Sequence, residues 1–124
     1  MYELSKQFRF DAAHTLDRVV QTESSRRIHG HSYRGEVTLR GRPDPISGMI
    51  VDVGILEKEL ESVRDALDHR FLDDINDLGP ATMENLCRWI WNRLKPEFPA
   101  LSKVSVYRDS NSDAVTYWGE EELA

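Results

Sequence analysis

Apolar and polar residues alternate along two stretches near the start of the chain, a pattern typical of half-buried β-strands. The first stretch runs from Glu3 to Phe10, and its every-second-residue pattern continues through Ala12 to His14. The second runs from Ile28 to Arg40, and its apolar phase is His29, His31, Tyr33, Gly35, Val37 and Leu39. The alternation therefore predicts two strands, with three histidines on the inward side.

Helical spacing replaces alternation in the middle of the chain. Asp52 is placed to cap a helix that ends near Leu67, and Thr82 is placed to cap a second helix that stops before Pro96. The apolar positions of these helices are Leu56, Leu60, Val63 and Leu67 in the first, and Leu86, Trp89, Ile90 and Leu94 in the second.

Two further strands are predicted near Lys103 to Arg108 and Ala114 to Trp118. The order strand, strand, helix, helix, strand, strand predicts an α+β fold, in which two helices cover one face of a four-stranded antiparallel sheet. At 124 residues, we expect residues 1–124 to form a single domain.

Charge and composition narrow the class of protein. The chain has 16 Lys and Arg against 22 Asp and Glu, a formal charge of −6, and no basic stripe, which argues against nucleic acid as a partner. Cys87 is the only cysteine, and no apolar run approaches the length of a membrane helix. We expect a cytoplasmic protein without a membrane partner.

A metal site is the strongest chemical signal. His29 and His31, two residues apart in a strand, project from the same face, and His14 ends the neighbouring strand on the inward side. Three histidines with an open fourth position are the arrangement of a catalytic zinc site, although imidazole also suits iron, copper or nickel. The alternative is that these histidines are hydrogen-bonded core residues.

Five short stretches match one known family in both order and spacing. They are Phe10 to His14 (FDAAH), Ile28 to Tyr33 (IHGHSY), Gly48 to Asp52 (GMIVD), Leu67 to Asp74 (LDHRFLDD) and Thr82 to Leu86 (TMENL). In these stretches the chain resembles the 6-pyruvoyl-tetrahydropterin synthase and 6-carboxy-tetrahydropterin synthase family.

That resemblance implies a tunnelling fold, Zn²⁺ held by His14, His29 and His31, and lyase chemistry on 7,8-dihydroneopterin triphosphate or a related small molecule. It also implies a homo-oligomer, commonly a hexamer, with active sites at subunit contacts. By the same resemblance, Asp68 orients the imidazole of His69, and His69 moves protons.

The chain departs from the family pattern where a catalytic cysteine is expected, four residues before His29, because Ser25 stands there. A serine hydroxyl is a much weaker acid than a thiol, so it needs a neighbouring base. Glu23 is an alternative base two residues further upstream, and His69 could also work without the cysteine. Cys87, on the second predicted helix among apolar residues, is typical of core packing.

A second departure lies in the third predicted strand, where the family anchors its pterin on a glutamate. Here the in-phase residue is Arg108, which can only donate hydrogen bonds, whereas the amidine edge of a pterin requires an acceptor. Three interpretations are open: a ligand changed to an acceptor-rich one, an inward rotation of Asp109 through a bulge, or a surface arginine.

Three more residues match substrate-binding positions of the family while also suiting ordinary structural roles. Thr82 and Glu84 both fit a helix start, and Arg27 fits either a phosphate contact or a solvated charge.

Three functions remain possible at this stage. The leading one is a zinc-dependent lyase of this family with an altered base and ligand anchor. The others are an ordinary 6-carboxy-tetrahydropterin synthase of deazapurine biosynthesis and a non-catalytic protein that binds metal and ligand.

Overall fold

The computed structural model describes residues 1–20 and 22–120. Within them, four strands form one antiparallel sheet in the order β1-β2-β3-β4. Two long helices and one short helix accompany the sheet, which confirms the predicted α+β class. The elements are β1 (Tyr2–His14), α1 (Thr22–Arg26), β2 (His29–Gly41), α2 (Val53–Leu67), α3 (Met83–Leu94), β3 (Leu101–Arg108) and β4 (Asp113–Tyr117).

The capping residues predicted from the sequence lie at the starts of the two long helices. Asp52 accepts a hydrogen bond from the backbone nitrogen of Gly54, and Thr82 accepts one from that of Asn85. These bonds satisfy amide groups that have no partner within the first turn of a helix.

The sequence analysis missed helix α1, which has only five residues. Such a segment is too short to show a helical repeat of apolar positions. It connects β1 to β2, and the carbonyl of Ser25 accepts a hydrogen bond from the backbone nitrogen of Leu16 at 2.8 Å. Two 3₁₀ turns, Leu72–Asp74 and Asp109–Asn111, also went unpredicted.

One face of the sheet carries the core. Phe10 and Tyr33 stack there with ring centroids 4.9 Å apart, beneath the buried sides of α2 and α3. Gly35 is required by this packing, because a Cβ atom at that position would lie 2.5 Å from the ring of Phe8.

The register between β1 and β2 places the histidines together. Strand β1 begins one residue before the predicted stretch and ends four residues after it, and its last residue, His14, pairs with His29. His31 pairs with Ala12 on the same two strands. The histidines therefore gather at one end of the sheet, next to the start of α3.

Candidate metal and proton-transfer site

His14 is held at the end of β1 by the start of helix α3. Its side chain is 1% exposed, and its Nδ1 lies 2.8 Å from the carbonyl oxygen of Ala81. Since a carbonyl can only accept, Nδ1 carries the proton and Nε2 carries a lone pair. Burial lowers the pKa of His14, which favours this neutral form.

His29 has the same arrangement, built from a different part of the chain. Its Nδ1 lies 2.8 Å from the carbonyl oxygen of Arg27, so this nitrogen also donates, and in the neutral ring Nε2 holds the lone pair. The two Nε2 atoms of His14 and His29 are 2.9 Å apart.

His31 completes the cluster. Its ring lies edge-on to those of His14 and His29, at centroid distances of 4.8 and 5.0 Å. One ligand nitrogen from each histidine lies within 4.8 Å of the others. Burial, followed by the positive charge of Arg108, lowers the pKa of His31 to about 4, so this ring is neutral at physiological pH.

The donor set of this cluster fits a metal ion. While both rings are neutral and give Nδ1–H to carbonyls, the two Nε2 lone pairs of His14 and His29 face each other at 2.9 Å, an arrangement that a shared metal ion stabilises. Three imidazoles suit zinc, and the carbonyls that hold two of them are the kind of group that orients metal-binding histidines.

Asp68 and His69 follow directly after α2. Asp68 accepts hydrogen bonds from the backbone nitrogen of Asp11 at 2.9 Å and from Nδ1 of His69 at 2.9 Å. These bonds, the first being the stronger influence, lower the pKa of Asp68 and keep it ionised. The carboxylate therefore fixes the His69 ring, whose Nε2 has no hydrogen-bond partner among residues 1–20 and 22–120.

The backbone of His69 is constrained as well. Its φ of 58° lies in the left-handed region, and its backbone nitrogen donates to the carbonyl of Asp11 at 2.6 Å. Ala13 in turn donates to the carbonyl of Arg70 at 3.0 Å. These bonds tie the residues after α2 to the end of β1, beside the metal cluster.

An open cavity joins the two parts of the site. It has a volume of about 560 Å³, and both His31 and His69 line it, together with Asp11, Ser32 and Phe71. The side chain of His69 is 79% exposed. A small molecule in this cavity lies beside both His31 of the histidine cluster and His69.

Arg108 and Asp109 occupy opposite faces of the sheet. Nη1 of Arg108 lies 3.3 Å from Nε2 of His31, and Nη2 lies 2.5 Å from a carboxylate oxygen of Asp113. Asp109 instead accepts hydrogen bonds from Nε and Nη2 of Arg34, at 3.0 and 3.1 Å. The structure therefore brings Arg108, but not Asp109, to the histidines.

Asp113 is a neighbour that sequence reasoning missed. It opens β4 and pairs with Arg108 in the sheet register. Its carboxylate reaches the site only because a 3₁₀ turn reverses the chain between β3 and β4. The predicted strand began one residue later, at Ala114, so no strand pattern marked Asp113 in advance.

The candidate bases lie in different surroundings. Ser25 is 5% exposed within α1. Glu23 forms an ion pair with Arg27 at 2.9 Å, and the side chains of both residues are exposed. Cys87 is fully buried, and burial raises the pKa of its thiol to about 12.

Thr82 and Glu84 lie at the start of α3. The hydroxyl of Thr82 caps the helix, and Glu84 is exposed in the first turn. The residue before Thr82, Ala81, supplies the carbonyl that orients His14 in the histidine cluster.

Comparison with known proteins decides the family. The model of the family described as 6-pyruvoyl tetrahydropterin synthase matches residues 3–120. The chain belongs to this family. Membership supports an enzyme of the lyase class that acts as a pterin synthase. Separately, no helix in the described part of the chain is long and apolar enough to span a membrane.

Individual relatives carry two activities in their names. Human 6-pyruvoyl tetrahydrobiopterin synthase is 32% identical over 134 residues, covering 95% of this chain and 92% of the relative. The 6-carboxy-5,6,7,8-tetrahydropterin synthase of Synechocystis is 33% identical over 120 residues, covering 92% of each. The structure of 6-pyruvoyl tetrahydropterin synthase from Caenorhabditis elegans superposes with a TM-score of 0.84 at 31% identity, covering 96% of both chains.

Proposed function

We propose that this chain is a zinc-dependent lyase of the pterin-synthase type, acting on a pterin-like or related small molecule with an altered base and an altered ligand anchor. The supporting observation is the shared cavity, which His31 of the metal cluster and His69 of the Asp68–His69 pair both line.

His14, His29 and His31 are the residues that hold the zinc ion in this proposal. When bound, zinc supplies Lewis-acid polarisation of substrate oxygens without any redox change. The carbonyls of Ala81 and Arg27 fix two of the imidazoles in the tautomer that offers Nε2.

His69 is the proton-moving residue. Asp68 holds its Nδ1–H, so Nε2 takes a proton from the substrate or returns one, and the ionised carboxylate stabilises the imidazolium that forms in between. Cys87 is unsuited to this task because its thiol remains protonated near neutral pH. Ser25 and Glu23 remain secondary candidates for the base, from their positions in the sequence.

Arg108 is the altered ligand anchor. It stands in the register of β3 where the family motif has a glutamate, and its guanidinium faces His31. A group that only donates hydrogen bonds favours substrate oxygens over the N–H groups of an amidine edge. Arg27, Thr82 and Glu84 are retained as possible substrate contacts on the strength of the family match alone.

The Synechocystis relative supports a second candidate, an ordinary 6-carboxy-tetrahydropterin synthase that tolerates Ser25.

We also propose that the protein is a homo-oligomer in the cytoplasm. Large apolar side chains on several segments are exposed and available to such an assembly: Tyr2, Ile28, Ile46, Met49, Ile55 and Trp118.

The deciding experiment incubates zinc-loaded protein with 7,8-dihydroneopterin triphosphate and identifies the products by mass. A 6-carboxy product supports the second candidate, and turnover only of a related compound supports the altered lyase. Zinc binding without turnover of any tested pterin contradicts both and leaves the non-catalytic binding protein. Light scattering on the same sample measures the number of subunits.

A further inference from the structure

Arg108 contacts one of the two ring nitrogens with which His31 can bind a metal ion. Its Nη1 is 3.3 Å from Nε2 of His31. A guanidinium has donors only and is always charged, so this contact requires the lone pair of Nε2. The same lone pair cannot bind Arg108 and a metal ion together.

The guanidinium of Arg108 has hydrogen-bond donors that its present contacts do not use. Its side chain is 19% exposed, and its Nε atom is buried without a hydrogen-bond partner among the described residues. Asp113 accepts from Nη2 at 2.5 Å, which leaves the other donors of the guanidinium available. An incoming acceptor group therefore improves the environment of Arg108.

We propose that Arg108 competes with the metal ion for His31 and thereby makes the site favour a substrate that carries a negatively charged oxygen group. The inference rests on the metal site of the proposed function and names its substrate class, a carboxylate or phosphate. Such a group accepts hydrogen bonds from the guanidinium and offsets the repulsion between the guanidinium and a divalent cation.

The test measures zinc affinity by competition with a chromogenic chelator in the wild type and three variants. Arg108→Gln removes the charge, and Arg108→Lys keeps it. Arg34→Gln is the matched control, since Arg34 has the same 19% exposure and also pairs with an aspartate, on the opposite face of the sheet. Circular dichroism checks that each variant is folded.

The expected result is that Arg108→Gln binds zinc at least about tenfold more tightly than the wild type, whereas Arg108→Lys and Arg34→Gln bind it with wild-type affinity. In a second arm, at buffered free zinc, glycolate or methyl phosphate tightens zinc binding by the wild type and by Arg34→Gln but not by Arg108→Gln. An effect of only one of the two compounds identifies the oxyanion as carboxylate or phosphate.

The inference is overturned if Arg108→Gln and the wild type bind zinc with equal affinity. It is also overturned if glycolate or methyl phosphate changes zinc affinity equally in both proteins. These outcomes leave the proposed function intact, because the protein still binds zinc. Failure of the wild type and all three variants to bind zinc contradicts the metal site itself, and the inference with it.

Discussion

At the scale of single residues, the three histidines are distinguished by the partners of their nitrogen atoms. His14 and His29 each give Nδ1–H to a backbone carbonyl, and His31 meets a guanidinium at Nε2. A ring with one nitrogen so occupied has one orientation and one tautomer. The Nε2 atoms of His14 and His29 are therefore directed toward each other, whereas that of His31 is in contact with Arg108.

Replacing His29 with alanine is expected to remove stoichiometric zinc, because two imidazoles and solvent hold the ion far more weakly than three imidazoles. Metal analysis after gel filtration provides the measurement. His69→Asn serves as the control and retains zinc, since His69 lies outside the cluster. A His29→Ala protein with a full complement of zinc contradicts the assignment.

Turnover is expected to depend on His69 and not on Cys87. His69→Asn lowers kcat by roughly 10²–10⁴-fold, the usual contribution of a general acid–base group. Asparagine is chosen because it tolerates the left-handed backbone at this position, where φ is 58°. Cys87→Ser keeps its activity while folded; loss of activity in that variant, or its persistence in His69→Asn, reverses the assignment.

At the scale of elements, the start of α3 serves both the helix and the metal cluster. Thr82 caps the helix through the backbone nitrogen of Asn85, and Ala81, the residue before it, supplies the carbonyl that orients His14. A change in the first turn of α3 therefore affects the buried histidine.

Thr82→Ala is expected to lower the free energy of unfolding by about 1 kcal/mol and also to weaken zinc binding. Asp52→Ala is the matched control, because it removes a cap of the same kind from α2, far from the histidines in the sequence. It costs a similar amount of stability and leaves zinc affinity unchanged. Denaturant unfolding and chelator competition measure the two effects; equal zinc affinity in both variants shows that the cap acts on the helix alone.

At the scale of the whole molecule, several carboxylates make the fold sensitive to acid. Hydrogen bonds from backbone nitrogens lower the pKa of Asp44, and the guanidinium of Arg34 lowers that of Asp109. The native state thus binds fewer protons than the unfolded chain between the lowered pKa values and about 4. The stability from these groups is complete above about pH 4 and is lost as the pH falls through the lowered values.

Asp44→Asn is expected to flatten the decline of the unfolding free energy below about pH 5, because the carboxamide cannot take up the proton that opposes folding. Asp44 suits this test since it accepts from Ile46 and Ser47 in an exposed turn. Urea unfolding at a series of pH values gives the slope. An unchanged acid slope indicates that Asp44 does not contribute to acid sensitivity.

The local rules of the chain account for much of the fold. Alternation of apolar residues predicted β1 and β2, and the caps Asp52 and Thr82 predicted the starts of both long helices. Strand period and helix capping depend on neighbouring residues only, so they can be predicted from the sequence. Helix α1 was missed because five residues show no period.

The sequence by itself determined that three histidines lie on one face at the end of two strands. Only the tertiary structure decided which atoms of those histidines are free, that Arg108 faces His31 while Asp109 turns to Arg34, and that Asp113 joins the site. These outcomes depend on carbonyls, turns and side chains that are distant along the chain. Packing, and not local pattern, sets their positions, because a side chain adopts the rotamer that satisfies all its contacts together.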